Sequence, residues 1–96
     1  MGGNSNRFSE ESLGEELKRL FSEVSKIPAE QIHAGEPLMN YGLDSLMGFE
    51  LRTMIEERFQ VLIPQGLLND YPSIKEAAGY LFLRLEKAKR LGQESR

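Results

Sequence analysis

An aspartate followed by a serine, at the predicted start of an amphipathic helix, is the feature of this sequence best placed to do chemistry. Asp44 and Ser45 come directly after a glycine turn at Gly42. The first N–H groups of a helix have no partner within it, and either side-chain oxygen can accept one of them as a cap. A structural cap and a functional serine are therefore both open interpretations of this pair.

The remaining residues form no catalytic set. The sequence contains no nucleophile with a base and an orienting group, no carboxylate pair set in a cleft and no glycine-rich phosphate loop. It has no cysteine, so thiol chemistry would need a thiol supplied by a prosthetic group. The single histidine, His33, lies in a polar stretch without a second histidine to share a metal. We therefore predict a protein without intrinsic catalysis and without a metal site.

Length and charge narrow the class of protein. A chain of 96 residues is long enough for one modest hydrophobic core. Its net charge of −3 argues against a nucleic-acid surface, and its short apolar runs argue against a membrane span or a signal peptide. We predict a monomeric cytoplasmic domain over residues 9–91, with a disordered leader or linker at residues 1–8 and a disordered tail at residues 92–96.

The first part of the chain predicts one helix and then a long loop. A capping box of Ser12 and Glu15 places the helix start at Ser12, and Ser9 is an alternative start one turn earlier. Prolines and glycines exclude a continuous helix from Ser25 to Asn40, where three apolar residues are expected to anchor an ordered loop. The helix stripe is Leu13, Leu17, Leu20, Phe21 and Val24, and the loop anchors are Ile27, Ile32 and Leu38.

The second helix is predicted from Ser45 to Phe59 and has two apolar faces. The core face consists of Leu51, Met54, Ile55 and Phe59. The second face consists of Leu46, Phe49 and Thr53, at spacings of three and four residues. The Phe49 ring fits either the core or an exposed surface, and the sequence does not decide between them.

The last part of the chain predicts a short helical turn and a long helix. Pro64 suits the first position of the turn, which Tyr71 and Pro72 end. A capping box of Ser73 and Glu76 opens the last helix, and Gly92 is its predicted stop. The apolar residues are Leu67 and Leu68 in the turn, and Ile74, Ala77, Ala78, Leu81, Phe82 and Leu85 in the helix. The predicted fold is all-α, an irregular bundle of three longer helices and one short helix, with a long loop between helices 1 and 2.

Several separately spaced motifs resemble those of the acyl carrier protein family. They are Gly42-Leu43-Asp44-Ser45-Leu46, Glu50-Leu51, Leu62-Ile63-Pro64 and Tyr71-Pro72-Ser73-Ile74, within a resemblance that extends from Leu17 to Leu85. The resemblance implies that Ser45, flanked by Asp44 and Leu46, receives a 4′-phosphopantetheine arm from coenzyme A and carries acyl groups on it as thioesters. It also implies the partners, which are a phosphopantetheinyl transferase and the ketosynthase, acyltransferase and other domains of a synthase.

By the same resemblance, the second helix meets these partners through its second apolar face. The apolar candidates are Leu46, Phe49 and Thr53, and the charged ones are Glu50, Arg52 and Glu56. Each charged residue fits a partner contact or an ordinary solvated charge. Free-standing carrier proteins tend to have a more uniformly acidic second helix, so this mixture of charges is most like an acyl carrier domain of a modular polyketide synthase.

Two other interpretations stay open. A peptidyl carrier domain of a nonribosomal peptide synthetase would share the fold and the serine, but such domains usually have Gly-Gly-His/Asp-Ser where this chain has Gly42-Leu43-Asp44-Ser45. A helical adaptor without a prosthetic group would need only a cap at Ser45, and should tolerate asparagine or aspartate there. A carrier would lose all function with either substitution.

Overall fold

The computed structural model describes residues 9–94, including the side chains of residues 9–88, as a bundle of four α-helices. Two short 3₁₀ turns, Ala29–Gln31 and Leu38–Tyr41, lie between the first two helices. The predicted leader, residues 1–8, lies outside the described residues. The helices are α1 (Glu10–Ser25), α2 (Ser45–Phe59), α3 (Leu67–Asp70) and α4 (Ile74–Glu94). The all-α bundle with a long first loop is thus confirmed, and α2 has the predicted bounds.

The core forms where α1 packs against α4 on one side and against α2 on the other. All three predicted stripes point into it, although Val24, Met54, Phe82 and Leu85 are only partly buried at its border. The link between α2 and α3 and the first loop complete the core. Its buried apolar residues are Leu13, Leu17, Leu20, Phe21, Ile32, Leu38, Leu51, Ile55, Phe59, Ile63, Leu67, Ile74, Ala77, Ala78 and Leu81. Among the helices of residues 9–94, none combines the length and the hydropathy needed to span a bilayer.

The start of α1 lies at the alternative position, and the predicted start at Ser12 is wrong. Ser9 is the N-cap, and its hydroxyl accepts a 3.0 Å hydrogen bond from the Ser12 N–H. In return, the Ser12 hydroxyl accepts the Ser9 N–H, also at 3.0 Å. Ser12 therefore has the role in the capping box that the sequence assigns to Glu15. The extra turn also places Glu10 and Glu11 near the positive end of the helix dipole.

Two predicted helix ends also need correction. Pro64 is not the first residue of α3, because its carbonyl accepts the Leu67 N–H in a turn that precedes the helix. Gly92 does not stop α4, which continues to Glu94. The last two residues of the predicted tail, 95–96, lie outside the described residues. Glycine disfavours a helix interior by about 1 kcal/mol relative to alanine but does not forbid it. The predicted capping box of α4 is half formed: the Ser73 hydroxyl accepts the Glu76 N–H at 3.2 Å, but the Glu76 carboxylate accepts the Ser73 hydroxyl at 3.2 Å in place of the Ser73 N–H.

The first loop is ordered, as predicted, because backbone hydrogen bonds attach it to the start of α4. The Leu38 N–H donates to the Pro72 carbonyl, and the Lys75 N–H donates to the Ala34 carbonyl, both at 2.8 Å. Ile32 and Leu38 are buried, whereas Ile27 is partly buried. These contacts fix the segment that leads into α2.

Tyr41 provides a further anchor for this loop. Its hydroxyl accepts the His33 N–H at 2.8 Å, and its ring packs edge-on against the buried Phe21 ring at 6.0 Å between centroids. The end of the loop is therefore connected to α1 as well as to α4.

A small charged network joins α1 to α2. The Glu16 carboxylate accepts hydrogen bonds from Arg19 and from Arg58 Nε, the latter at 2.7 Å. Arg19 also donates to Glu23 at 2.9 Å. The hydrogen bond from Arg19, and after it the bond from Arg58, holds the pKa of Glu16 below its ordinary value.

Replacing Glu16 by glutamine should therefore destabilise the fold near pH 7 and not in acid. We expect a loss of about 0.5 kcal/mol in the free energy of unfolding near pH 7, as for other partly exposed ion pairs. Because the folded pKa of Glu16 is depressed, its contribution is present above the ordinary value of 4.5 and is lost as the pH falls through the folded pKa. Urea denaturation of wild type and variant near pH 7 and near pH 3 measures both values.

Glu15→Gln is the matched control for this prediction. The Glu15 side chain is exposed, and its carboxylate lies 3.9 Å from Lys18, so its loss should matter less at either pH. An equal destabilisation by Glu16→Gln at both pH values would contradict the role given to the Glu16 charge.

Candidate functional site

The chain turns sharply just before α2, and a glycine makes this turn possible. Gly42 ends the 3₁₀ turn Leu38–Tyr41 with a φ of 90°, in the left-handed region that residues other than glycine rarely adopt. Its N–H donates to the Met39 carbonyl at 3.0 Å, and the Leu43 N–H donates to the Leu38 carbonyl at 3.3 Å. The next residues then enter α2 from a fixed direction.

Asp44 is the residue that caps α2. Its backbone is extended, and its Oδ1 accepts the Met47 N–H at 2.9 Å. Its own carbonyl accepts the Gly48 N–H at 2.8 Å, which closes the first turn of the helix. Of the two caps that the sequence allows, the structure thus uses Asp44, and Ser45 becomes the first residue of α2.

The Ser45 side chain is exposed, and within residues 9–94 its hydroxyl makes no hydrogen bond. Every other described serine uses its hydroxyl in a hydrogen bond that caps a helix or holds a turn. These serines are Ser9, Ser12, Ser22, Ser25 and Ser73. A serine without a structural partner, on a side chain open to solvent, is available for chemistry.

The backbone beside Ser45 is suited to an anion. Asp44 takes the N–H of Met47, whereas the N–H groups of Ser45 and Leu46 have no acceptor in the described part of the chain. They lie at the positive end of a helix of 15 residues. Free donors and the helix dipole together stabilise a negative group by about 0.3–1 kcal/mol. A phosphate ester on Ser45 would therefore fit the start of α2.

Replacing Asp44 by alanine should remove the cap and destabilise the domain. The Met47 N–H would lose its acceptor, and we expect a loss of about 1 kcal/mol in the free energy of unfolding. Asp44→Asn is the control, because its amide oxygen can still accept that N–H and should keep most of the stability. Urea denaturation measures both variants, and equal losses for alanine and asparagine would contradict the capping role.

Large apolar side chains surround Ser45 on the surface. Leu46 is 66% exposed and Phe49 is 57% exposed, so the alternative that Phe49 belongs to the core is wrong. Thr53, one turn further, is half-buried. Met39 was not predicted, although it is 72% exposed and lines the same surface. In the sequence, Met39 is marked only by being an apolar residue in the segment that leads to the Gly42 turn.

Two open grooves flank Phe49. The first starts at Ser45 and runs between α2 and α3, with a volume of about 660 Å³, and its far side includes Gln65 and Asn69. The second lies between the end of α1 and α2, where Lys26 and Met54 line it. The Phe49 ring is therefore a ridge on the surface beside Ser45.

The charged candidates on α2 differ in their surroundings. Glu50 is exposed, as a partner contact or a solvated charge would be. Arg52 and Glu56 are instead largely covered, and the idea that they are plain solvated charges is wrong. Arg52 Nη1 donates to Glu56 Oε2 and to the Ile63 carbonyl, both at 3.2 Å, and Glu56 Oε2 accepts the Ile63 N–H at 2.8 Å. The spacing of four residues predicts that Arg52 and Glu56 pair with each other. It does not predict that both also bind the backbone of Ile63, in the link between α2 and α3.

The fold and the site define a small helical domain in which, among the residues that the structure describes, one serine presents a free hydroxyl at a helix start, which is the arrangement of a carrier domain. The sequence pattern of the family described as "phosphopantetheine attachment site" matches residues 15–81. The chain belongs to this family. Its members carry 4′-phosphopantetheine and have no intrinsic catalysis.

Similar sequences occur in polyketide synthases. The chain is 41% identical over 73 residues to the non-reducing polyketide synthase pkbA of Emericella nidulans, a match that covers 72% of this chain and 3% of that protein. It is 31% identical over 70 residues to the polyketide synthase PksL of Bacillus subtilis, covering 73% of this chain and 2% of that protein. The chain thus spans a small fraction of the length of these relatives.

Similar structures are also carrier domains. The HMG-ACPI domain of the CurA module from Lyngbya majuscula superposes with a TM-score of 0.79 at 25% identity, covering 84% of this chain and 82% of that one. A free-standing peptidyl carrier protein of Acinetobacter baumannii superposes with a TM-score of 0.77 at 25% identity, covering 80% of this chain and 96% of that one. The helical bundle described above is therefore a carrier-protein fold.

Proposed function

We propose that Ser45 carries the 4′-phosphopantetheine arm and that the domain is an acyl carrier domain of a polyketide synthase. The observation that supports the attachment site is the free hydroxyl of Ser45, since every other described serine is used structurally. The polyketide synthases among the similar sequences support the acyl type of carrier. When bound, the arm supplies a thiol on which acyl groups are held as thioesters.

The residues of the chain itself have a limited part in this function. The Ser45 oxygen attacks the pyrophosphate of coenzyme A at the phosphorus that bears the pantetheine. The bond from that phosphorus to adenosine 3′,5′-bisphosphate breaks, the bisphosphate leaves, and a base of the transferase takes the hydroxyl proton. The N–H groups of Ser45 and Leu46 lie at the same helix start and have no other acceptor in the described residues, so they would stabilise the negative charge. Asp44 keeps the first turn of α2 closed through the Met47 N–H, so the attachment point stays fixed relative to the surface beside it.

The proposed partners bind the surface around the attachment point. They are the transferase that adds the arm and then the ketosynthase, acyltransferase and other domains of the synthase. The proposed contacts are Leu46, Phe49 and Thr53, with Glu50 as the charged contact. Arg52 and Glu56 are largely covered and bound to each other and to Ile63, so they support this surface and do not contact the partner. Each visit must be brief, which favours small and partly electrostatic interfaces. The domain acts as a monomer in this proposal, and its cytoplasmic location stays a prediction.

A peptidyl carrier domain is the nearest alternative, because the Acinetobacter baumannii carrier has the same fold. The similar polyketide synthases and the Leu43 residue before Asp44 favour the acyl type instead. The adaptor alternative predicts no attachment at all, and membership of the phosphopantetheine family argues against it.

Attachment of the arm can be tested directly. The purified protein would be incubated with coenzyme A, Mg²⁺ and a broad-specificity phosphopantetheinyl transferase, and its intact mass recorded. We expect a gain of one phosphopantetheine per chain. No gain with several transferases, while circular dichroism shows a folded helical protein, would contradict the carrier function.

A second experiment identifies the type of group that the arm carries. With malonyl-coenzyme A as the donor, a malonyl acyltransferase should transfer one malonyl group to the thiol of the arm and release coenzyme A. Hydroxylamine should then remove this group, because it cleaves thioesters. Loading of amino acids by adenylation domains, without any malonyl transfer, would favour the peptidyl carrier instead.

A further inference from the structure

Arg52 contacts three separate parts of the surface next to the attachment point. Its guanidinium lies over the ring of Phe49, with Cζ 5.7 Å from the ring centroid. Its Nη1 donates to Glu56 Oε2 and to the Ile63 carbonyl, both at 3.2 Å. Arg52 therefore connects an exposed aromatic ring to the link between α2 and α3.

The contacts at the link hold this guanidinium in place. Only 19% of the Arg52 side chain is exposed, and its two acceptors are themselves fixed. The Ile63 side chain is buried in the core, and the Glu56 carboxylate also accepts the Ile63 N–H. An arginine with such partners loses most of the rotamer freedom that a surface arginine keeps.

The Phe49 ring, by contrast, has few constraints of its own. It stands exposed between two open grooves, and a free ring would gain by turning into either of them, since this would cover apolar area. A cation over the ring face opposes such a rotation. At exposed sites this attraction changes an equilibrium by a factor of about two to five.

We propose that Arg52 is a positioning residue for partner docking, which holds the Phe49 ring upright on the surface beside Ser45. The ring then meets an apolar pocket of the transferase without first having to leave a groove. The proposal rests on the proposed function, because only a carrier has to dock such a partner. It differs from a direct contact of Arg52 with the partner, since Arg52 here acts only through Phe49.

Steady-state kinetics of arm attachment test this proposal. Arg52→Gln should raise KM for the protein substrate about two- to fivefold, with kcat within about twofold, because the ring must be reoriented on binding. Phe49→Leu keeps an apolar side chain and removes the ring, and it should also raise KM. Since Arg52 acts through the ring, Arg52→Gln should have no further effect on KM in the Phe49→Leu background.

Two further variants control for charge and fold. Arg58→Gln removes one cation from the same helix at a site farther from Ser45, and it should leave KM within about twofold of wild type. Arg52→Lys can still reach the Ile63 carbonyl but lacks the flat guanidinium, so it should restore only part of the KM change. Equal effects of Arg52→Gln with and without the Phe49 ring would overturn the proposal, and so would an unchanged KM.

A spectroscopic measurement on the unmodified protein does not depend on attachment. The side-chain CH₂ protons of Arg52 should have NMR signals shifted upfield by the Phe49 ring, and Phe49→Leu should abolish the shift. Absence of this shift in the wild type overturns the positioning role even if the arm is attached normally. If the shift is present but no transferase attaches an arm, the proposed function fails, and the docking role of Arg52 fails with it.

Discussion

Replacing Ser45 by alanine is expected to abolish attachment of the arm while leaving the fold unchanged. The hydroxyl is exposed and makes no hydrogen bond within residues 9–94, so no structural contact is lost. Asp44 still caps α2, and alanine is favourable in a helix. We expect no detectable loading with a fluorescent coenzyme A analogue, and a free energy of unfolding within about 0.5 kcal/mol of wild type.

Ser25→Ala is the matched control for this variant. The Ser25 hydroxyl accepts the Ile27 N–H at 3.2 Å, so its removal should lower stability slightly and leave loading unchanged. The two serines are thus predicted to have opposite effects, one on chemistry and one on stability. Loading of Ser45→Ala at the wild-type level would show that the arm is attached elsewhere.

Replacing Phe21 by alanine should have the largest effect on stability. The side chain is fully buried between the helices, with no exposed area, and truncation of such a phenylalanine costs about 3–5 kcal/mol. That is a large share of the roughly 5–15 kcal/mol that stabilises a typical domain. Tyr41 would also lose its ring partner, and with it part of the anchor of the loop that leads to Ser45. Urea denaturation should show the loss directly.

Phe49→Ala tests whether burial is the cause of this effect. The same side chain is removed from the same bundle, but 57% of it is exposed in the folded state. We expect a change of about 1 kcal/mol or less in the free energy of unfolding. A loss below about 1 kcal/mol for Phe21→Ala, or similar losses for the two variants, would contradict the packing described here.

The sequence predicts the fold well where one periodic pattern decides the structure. The predicted core stripes of α1, α2 and α4 all face the core and most of their residues are buried, because an amphipathic helix turns one face to the core. Leu46 and Phe49, on the other apolar face of α2, stay exposed. The bounds of α2 were predicted because Asp44 and the apolar pattern agree on its start. The start of α1 at Ser9 was harder to predict. The third helical residue of its capping box is Ser12, and a serine there is a weaker signal than the usual glutamate or glutamine.

Contacts between distant segments were not predictable from the sequence. The first loop is held by backbone bonds to Pro72 and Lys75, which no side-chain pattern encodes. Arg52 and Glu56 have the spacing of an ordinary surface pair, and only the folded link at Ile63 gives them a shared partner. The exposure of Phe49 was likewise undecidable, because its position is compatible with either face until the helices are packed.

The sequence identifies the residues of the candidate site, but it does not show which of them caps α2 and which is free. The Asp44-Ser45 pair indicated two possible caps, and either would have satisfied the helix start. The structure assigns the cap to Asp44, and this assignment leaves the Ser45 hydroxyl free. The site thus depends on which of two neighbouring side chains accepts the Met47 N–H.

The most direct test of the central claim is to locate the arm on the wild-type chain. Trypsin should release residues 27–52 as one peptide, because no lysine or arginine lies between Lys26 and Arg52. Ser45 is the only serine in this peptide, which contains no threonine. After loading with coenzyme A and a transferase, tandem mass spectrometry should find one phosphopantetheine, on this peptide and at Ser45. An arm on any other peptide, or a loaded protein whose peptide 27–52 is unmodified, would contradict the account.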